Sequence, residues 1–244
     1  MIKLTIIIVS LNTKNDFLKT LDSIKKQKFK NYEIIIVDGK SNDGTIHEIN
    51  KIKNKKIKSI IGKDKGIYDA MNKGVRKSLG DWVIFLNSGD LFYNKYVLKK
   101  ISRKIKNEHE ILYGDTVVKN QFFSHKVKAK NFTKDTVLMP FCHQSTIVKK
   151  NLFIKNKFSL NYKIASDFNF FIKLFNNQHF FYNMNIVISK VKSNGLSDIN
   201  RNQVFNENIK IIKENNNYSS LIFKLIVIKN FNLLKEILKN LLPK

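Results

Sequence analysis

The chain has 244 residues, 43% of them hydrophobic, which is enough to bury a sizeable core in one large domain or in a domain with an appendage. The sequence contains no apolar run of about 18 residues and no recognisable leader in its first ten residues, so we expect a cytoplasmic protein rather than a membrane-spanning or secreted one. The single cysteine, Cys142, cannot form an internal disulfide, which fits a reducing compartment but carries little weight.

The net charge is +26, from 45 basic and 19 acidic residues, and a charge of this size attracts polyanions such as nucleic acid, anionic lipid or phosphorylated substrates. Heavy use of Lys, Asn and Ile is also what an AT-rich genome produces, and both explanations stay open. The sequence has no zinc-ligand spacing, aromatic-basic strip or helix-turn-helix pattern. We therefore expect no specific recognition of nucleic acid.

Short apolar runs alternate with amphipathic stretches in the first half of the chain, which predicts a mostly parallel sheet with helices between its strands. The β-branched runs indicate strands that are buried on both faces. Strands are predicted at residues 4–9, 33–37, 57–61 and 81–86. Helices are predicted between the first two strands, after the turn at residues 41–44, and at about residues 66–78.

The first predicted helix has Asn12 or Thr13 as its cap. Its apolar face is expected to consist of Phe17, Leu18, Leu21 and Ile24. Ligands of open α/β sheets bind beyond the carboxyl ends of the strands. The strand ends after Val9, Val37 and Leu86 are therefore predicted to meet at one crevice.

The second half has weaker periodicity, with antiparallel strands predicted near residues 111–118, 145–149 and 180–192 and a helix at about 166–176. Residues 218–242 place Leu, Ile and Phe at helical spacing with lysines between them, which predicts a basic amphipathic helix. Two placements stay open for it. It lies on an anionic membrane surface, or it packs on the domain or on another subunit, as in a homodimer.

Seven short motifs follow one another along the chain. They are TIIIVSLN at 5–12, VDGKSNDGT at 37–45, DKGIYDAMNKG at 64–74, GDWVIFLNSGD at 80–90, CHQS at 142–145, ASDFNFFIKL at 165–174 and NGLS at 194–197. Each motif alone is weak, but their joint order and spacing are specific. Together they resemble the inverting glycosyltransferases of family 2, and within that family the polysaccharide-biosynthesis branch of the colanic-acid type.

The resemblance extends over about residues 5–197 and implies an α/β protein with the GT-A fold. That fold has a Rossmann-like, mostly parallel nucleotide-binding sheet with helices on both faces, to which an acceptor-side region and C-terminal amphipathic helices are added. We expect a nucleotide-sugar-binding half at 1–115, an acceptor-binding half of the same domain at 116–200 and a helical tail at 201–244.

The implied activity is inverting transfer of a sugar, of the hexosyltransferase type, from a nucleoside-diphosphate donor, with a UDP-sugar expected. The implied acceptor is a glycan or a polyprenyl-linked glycan of surface polysaccharide biosynthesis, reached in the cytoplasm or peripherally at the inner membrane face. The alternative is a protein that binds nucleotide sugars or polyanions without turnover. Nucleotidyltransferases rank lower, because residues 10–13 lack the glycine of a phosphate loop.

Asp38 follows a buried strand, where its carboxylate can accept hydrogen bonds from a base, and the resemblance assigns it to uracil or a related base. The alternative for Asp38 is a turn or cap, the role we expect for Asp43. Backbone N–H groups at the start of the helix near Gly66 are expected to face a diphosphate. Residues expected to contact the donor are Ser10, Asn12, Asp38, Asp64, Lys65, Asp69, Asn72, Asn87 and Ser88.

Residues 87–90 lie where the family carries its DXD metal motif, but Asn87 and Gly89 replace the usual acids and leave Asp90 as the metal-binding carboxylate. Mg²⁺ or Mn²⁺ is still the expected cofactor, because diphosphate oxygens and water can complete its octahedron. Asp167 matches the catalytic carboxylate of the family, with capping of its helix as the alternative. Residues expected to contact acceptor or sugar are His143, Gln144, Gly195 and Ser197.

Overall fold

In the computed structural model, the residues described are 3–120, 122–193, 195–215 and 221–230. The strands are β1 (Leu4–Ser10), β2 (Tyr32–Asp38), β3 (Ile57–Ile61), β4 (Trp82–Phe85), β5 (Leu91–Phe92), β6 (Ile111–Lys119), β7 (Ser124–Val127), β8 (Thr146–Lys149) and β9 (Phe181–Lys192). The helices are α1 (Lys14–Lys25), α2 (Thr45–Asn50), α3 (Ile67–Lys77), α4 (Val97–Lys104), α5 (Lys150–Asn156), α6 (Ser166–Asn176), α7 (Leu196–Ile199) and α8 (Arg201–Asn215), and residues 221–230 are also helical.

All described strands belong to one sheet in the order β3-β2-β1-β4-β8-β6-β9-β5, with β7 paired to β6. The first four strands of this order run parallel, as predicted for the first half of the chain. β8 is antiparallel to both β4 and β6 and so joins the two halves of the chain. The α/β prediction is confirmed, and both predicted halves contribute to a single sheet.

Helices cover both faces of the sheet, which explains why β1 is buried along its whole length. Successive side chains of β1 point to opposite faces: Ile6 and Ile8 pack with residues of α1 and α4, whereas Ile7 and Val9 pack with residues of α3 and α6. The strand therefore carries no polar stripe, and its continuous β-branched run is the sequence signature of this position.

The start of α1 differs from the prediction. The Thr13 hydroxyl is 3.0 Å from the Ser10 hydroxyl and makes no cap. Instead, Asp43 accepts a hydrogen bond from the backbone N–H of Lys14 at 2.8 Å and another from Thr45 at the start of α2. Asp43 thus has the expected capping role, but it serves two helices. Leu18, predicted on the buried face of α1, is 38% exposed.

The second half was predicted less well than the first. β6, β8 and β9 form where strands were expected, and α6 has the predicted bounds. However, β9 runs parallel to β6, which corrects the antiparallel expectation. The short elements β5, β7, α4 and α5 had no counterpart in the prediction. Strand direction depends on the path of the chain between strands, and local periodicity does not record that path.

The described part of the predicted tail helix packs on the domain, since Leu221 and Leu225 are buried in the same core as α6 and α8. The rest of that predicted helix, residues 218–220 and 231–242, lies outside the described residues. Within the described ranges, no helix is both long enough and apolar enough to cross a membrane.

Candidate active site

Three strand ends lie together at one edge of the sheet. Ser10 and Asp38 are register partners at the ends of β1 and β2. The backbone N–H of Ser88, in the turn after β4, donates to the carbonyl of Val9 at 3.1 Å. This is the crevice expected for an open α/β sheet.

The Asp38 carboxylate is fully buried at this edge. Its two oxygens accept hydrogen bonds from the backbone N–H and the hydroxyl of Ser41, both at 2.7 Å. The Ser41 hydroxyl in turn accepts the backbone N–H of Asn12 at 2.8 Å, and the Asn12 side chain accepts the N–H of Asn42. These bonds fix the two loops against each other. Each Asp38 oxygen has a second acceptor position, so its contact with a base stays a prediction.

Asp64 lies against the end of β2, because a Cβ built on Gly39 would be only 2.8 Å from its Oδ2 atom. Its other oxygen accepts the backbone N–H of Gly66 at 2.9 Å, just before α3. Gly66 has a φ of 112°, which a residue with a side chain rarely adopts. The structure therefore brings Asp64 to the edge of the sheet where Ser10 and Asp38 lie.

The α3 residues predicted to contact the donor are largely engaged elsewhere. Asp69 accepts the backbone N–H of Lys65 at 3.0 Å and pairs with Lys73 at 2.9 Å. Asn72 is buried, and its amide bonds both the carbonyl and the N–H of Phe158. Asn72 therefore joins α3 to the segment after α5, and we leave it out of the proposed donor contacts.

The backbone of the turn at residues 87–90 is hydrogen-bonded to Thr20 of α1. The Thr20 hydroxyl donates to the Asp90 carbonyl at 2.8 Å and accepts the backbone N–H of Gly89 at 2.9 Å. The Asp90 side chain is buried, and this burial raises the pKa of its carboxyl to about 6. One side-chain oxygen accepts a hydrogen bond from the Gln144 amide at 3.0 Å.

Two polar atoms beside Asp90 are buried without a hydrogen-bond partner, namely Asn87 Oδ1 and Ser88 Oγ. Buried polar atoms normally have partners, so these two oxygens are candidates to bind a ligand. Oxygen donors of this kind, together with a carboxylate whose charge is penalised by burial, fit a hard divalent cation. In the described part of the chain no three His, Cys, Asp or Glu residues cluster as a metal site, so phosphate and water would have to supply the other ligands.

Asp167 lies in the first turn of α6. Its Oδ1 atom accepts the backbone N–H of Phe168 at 2.9 Å and is 3.1 Å from the Tyr68 hydroxyl. The Tyr68 hydroxyl also donates to the carbonyl of Ile164 at 2.5 Å. Burial, and then the nearby Asp167 carboxylate, raise the pKa of Tyr68 well above its ordinary value, so Tyr68 stays a proton donor. The second oxygen of Asp167 is 3.1 Å from Nδ1 of His143.

His143 and Gln144 connect the Asp167 region to the turn at residues 87–90. They are consecutive residues of a 3-10 turn, His143–Ser145. His143 contacts Asp167 with Nδ1 and lies 3.5 Å from the Asn87 amide with Nε2, while Gln144 bonds Asp90. The carboxylates of Asp167 and Asp90 are therefore contacted by two consecutive residues of one short turn.

Gly195 and Ser197 lie at the start of α7, where the Gly195 carbonyl accepts the backbone N–H of Asp198 at 3.0 Å. The preceding strand ends at Lys192, which pairs with Asp16 at 2.5 Å. The Asp16 carboxylate in turn lies beside the turn at 87–90, since a Cβ on Gly89 would be 3.5 Å from it. Ser197 is exposed, and it is Lys192, at the end of the preceding strand, that reaches the neighbourhood of the turn at 87–90 through Asp16.

The model of the family described as "Glycosyl transferase family 2" matches residues 5–180 of this chain. The chain belongs to glycosyl transferase family 2. It is an enzyme of the glycosyltransferase class. The match includes six of the seven motifs quoted above and ends at Phe180, immediately before β9.

Curated relatives of this family 2 chain include "PGL/p-HBAD biosynthesis glycosyltransferase" of Mycobacterium bovis (strain BCG / Pasteur 1173P2). That protein is 33% identical over 182 residues, which are 71% of this chain and 70% of the relative. A protein with the same name from Mycobacterium tuberculosis (strain ATCC 25177 / H37Ra) matches equally well.

Solved structures with the same fold include Staphylococcus aureus TarS 1–349 in complex with UDP-GlcNAc, with a TM-score of 0.68 and 18% identity over 92% of this chain and 72% of that one. Another is the mannosyltransferase PcManGT from Pyrobaculum calidifontis in complex with GDP-Man and Mn²⁺, with a TM-score of 0.66 and 14% identity over 86% of this chain and 63% of that one. These likenesses confirm the GT-A fold.

Sequence reasoning missed Glu207, which holds the segment before α6. Its carboxylate accepts the backbone N–H groups of Lys163, Ile164 and Ala165 at 2.9 to 3.0 Å. Glu207 lies on α8, in the region interpreted as a tail, and no motif marks it. Tyr68, by contrast, is part of a quoted motif, although its contact with Asp167 depends on tertiary structure.

Replacing Glu207 with alanine is expected to lower the free energy of unfolding by about 2 to 4 kcal/mol near neutral pH, because three backbone donors lose a charged acceptor. Burial alone would raise the pKa of Glu207, but these hydrogen bonds hold it below its ordinary value. The contribution is therefore present above the unfolded-state pKa and is lost as the pH falls through the native one. Urea denaturation at several pH values measures this loss.

The control for that experiment is Glu108→Ala. Glu108 is largely exposed, and its ion pair with Lys106 is long, at 3.9 Å, so it is expected to contribute little stability. An equal loss of stability in the two variants, or a loss for Glu207→Ala that does not shrink in acid, would contradict the role given to Glu207.

Proposed function

We propose that the chain transfers a sugar, with inversion of the anomeric centre, from a nucleoside-diphosphate donor to a glycan or lipid-linked glycan acceptor of surface polysaccharide biosynthesis. A UDP-sugar is the donor of first choice. One observation carries the proposal. Two consecutive residues contact the two carboxylates: His143 contacts Asp167, and Gln144 donates a hydrogen bond to Asp90. In the proposal, Asp90 serves to bind the diphosphate through a cation, and Asp167 serves as the base of the same reaction.

In this proposal the base and ribose of the donor occupy the edge of the sheet near Ser10, Asn12, Asp38 and Asp64. The diphosphate then reaches the turn where Asn87 and Ser88 have unpartnered oxygens. Asp90, with these two oxygens, would hold a divalent cation. When bound, the cation neutralises negative charge that develops on the departing diphosphate. TarS has the same fold and was solved in complex with UDP-GlcNAc, which supports a UDP-sugar as the first donor to test.

Asp167 is the general base of the proposed reaction. Its carboxylate takes the proton of an acceptor hydroxyl while that oxygen attacks the anomeric carbon from the side opposite the diphosphate. One C–O bond forms as the bond between the anomeric carbon and the diphosphate oxygen breaks, and this single displacement inverts the configuration. The Asp167 side chain is 14% exposed, which leaves it reachable from the cleft.

The test is release of nucleoside diphosphate from a panel of UDP-, GDP- and dTDP-sugars, with Mn²⁺ or with EDTA. We expect release with at least one donor and its loss in EDTA. A donor that binds but releases no nucleoside diphosphate, either with or without added acceptor, would favour the alternative of a binding protein without turnover. Failure of every donor to bind would contradict the proposal.

We place the reaction in the cytoplasm, at the inner face of the membrane. The helix at 221–230 has apolar residues on its buried side and also on its solvent side, where they could enter a membrane surface. Phe223 is 69% exposed, Val227 is 50% exposed and Ile226 is 40% exposed, while the net charge of +26 favours an anionic surface. A lipid-linked acceptor would lie in such a membrane.

The double variant Phe223→Ser/Val227→Ser is expected to bind vesicles of mixed phosphatidylglycerol and phosphatidylcholine about tenfold more weakly than the wild type, since two exposed apolar side chains that would enter the membrane are lost. Co-sedimentation measures this binding. Ile154→Ser is the matched control, because Ile154 is 49% exposed on α5. Equal binding by all three proteins, or a dimer in solution that covers Phe223, would contradict the membrane contact.

A further inference from the structure

His143 and Gln144 were expected to contact acceptor or sugar, but the contacts of their side chains indicate a different role. We propose that Cys142, His143 and Gln144 are positioning residues that fix the two carboxylates of the site relative to each other. His143 orients Asp167, Gln144 orients Asp90, and Cys142 orients Gln144. This inference rests on the proposed function, because it assigns roles to residues of the same site.

The 3-10 turn that carries these residues is firmly anchored. The Ser145 hydroxyl is fully buried and lies 2.7 Å from the hydroxyls of both Thr116 and Ser189, which belong to β6 and β9. It also lies 3.1 Å from the carbonyl of Asp115. The Thr146 hydroxyl donates to the Cys142 carbonyl at 3.0 Å and closes the other side of the turn. A turn tied to two strands can serve as a rigid spacer.

The contacts of His143 determine which of its nitrogens carries the proton. An ionised carboxylate oxygen can only accept, so Nδ1, which lies 3.1 Å from Asp167 Oδ2, carries a hydrogen and donates it. Nε2 lies 3.5 Å from the Asn87 amide nitrogen, which is compatible with an acceptor role for Nε2. The other oxygen of Asp167 accepts the N–H of Phe168, so donors on both oxygens fix the plane of the carboxylate.

The contacts of Gln144 are equally directional. The Cys142 thiol donates to Gln144 Oε1 at 2.6 Å, which leaves the N–H₂ group facing Asp90 at 3.0 Å. Burial raises the pKa of Cys142 to about 12, so the sulfur keeps its hydrogen and remains a donor. The three consecutive side chains thus form two short hydrogen-bond chains, one ending at each carboxylate.

The first experiment compares His143→Leu with His143→Asn in the full chain. An asparagine amide can occupy the position of Nδ1 and keep the donor to Asp167, whereas leucine cannot. We expect kcat for transfer to fall about 10²-fold in His143→Leu with the donor KM nearly unchanged, and to recover most of that loss in His143→Asn. His125→Leu, an exposed histidine on β7, is the control that should keep wild-type kinetics.

The second experiment needs no turnover. Nitrogen-15 NMR of the free protein should show the Nδ1–H tautomer for His143 and a changed signal in Asp167→Asn. Mn²⁺ titration in the presence of UDP, followed by electron paramagnetic resonance, should show weaker binding in Gln144→Leu and in Cys142→Ala. Cys142→Ser, which keeps a donor to Gln144, should restore Mn²⁺ binding by comparison with Cys142→Ala.

The outcomes separate this inference from the proposed function. If the wild type transfers sugar, Asp167→Asn does not and His143→Leu matches the wild type, the positioning role of His143 is overturned and the function stands. If the wild type transfers no sugar from any donor, the proposed function is overturned. In that case an Nε2–H tautomer for His143, or Mn²⁺ binding unchanged in Gln144→Leu, overturns the inference as well, while the expected signals support it.

Discussion

Replacing Asp167 with asparagine is expected to lower kcat for sugar transfer by about 10² to 10⁴-fold, the usual contribution of a general base. Asparagine has nearly the same shape and can still accept the backbone N–H of Phe168, but it cannot take a proton from the acceptor hydroxyl. The donor is expected to bind Asp167→Asn almost as tightly as the wild type, because the base acts on the acceptor side.

Transfer rates and donor affinity must therefore be measured on the same variant. Asp22→Asn is the control, because Asp22 is exposed on α1 and forms a surface ion pair with Lys26. A wild-type rate in Asp167→Asn would remove Asp167 as the base. A large loss of donor affinity would instead place Asp167 among the donor contacts, or indicate that the variant is misfolded.

Replacing Asp90 with asparagine is expected to have two opposite effects. Metal-dependent transfer should be lost, because the one carboxylate of the 87–90 turn is removed. The protein without metal should at the same time become more stable near neutral pH, because a buried charge is removed and asparagine can still accept the Gln144 amide. The rise of the pKa of Asp90 from 3.8 to about 6 corresponds to at most about 3 kcal/mol of free energy of unfolding.

The sign of the pH dependence follows from the direction of this shift. The native carboxyl ionises at a higher pH than the unfolded one, so the native state holds more protons between about pH 4 and about pH 6. The contribution of Asp90 to stability therefore falls as the pH rises through this window. The stabilising effect of Asp90→Asn should be largest above about pH 6 and should vanish below about pH 4.

Urea denaturation in EDTA, at about pH 7.5 and at about pH 4, measures this difference. Asp81→Asn provides a comparison, since Asp81 is exposed at the opposite end of β4. If Asp90→Asn instead lowers the free energy of unfolding near neutral pH, the buried Asp90 carboxylate does not destabilise the native state as we expect. If transfer by this variant still depends on metal, the cation is bound by residues other than Asp90.

Much of this arrangement follows from local sequence. The runs that became β1 and β2 are apolar on both faces, and only a strand with helices on both sides buries such a run. The crevice was predictable too, because the carboxyl ends of neighbouring parallel strands must meet at one edge. The position of Asp90 at this crevice depended only on the turn after β4.

Other features depend on contacts that no local pattern records. Asn72 is three residues from Asp69 on a helix, but its partner is the backbone of Phe158, far along the chain. Glu207 holds the segment before α6 from a helix that was interpreted as tail. The contacts of His143 to Asp167 and of Gln144 to Asp90 likewise join distant segments, so the sequence indicated the motif without indicating its partners.

The proposed function requires Asp90 and Asp167 to border the same donor-binding cleft. It is tested most directly by a crystal structure of the protein with UDP and Mn²⁺, in which the anomalous signal of manganese locates the cation independently of the rest of the density. We predict one manganese peak on the Asp90 carboxylate, with the diphosphate beside Asn87 and Ser88 and with Asp167 across the same cleft. A peak away from Asp90, or UDP bound where a sugar attached to it could not reach Asp167, would contradict the account.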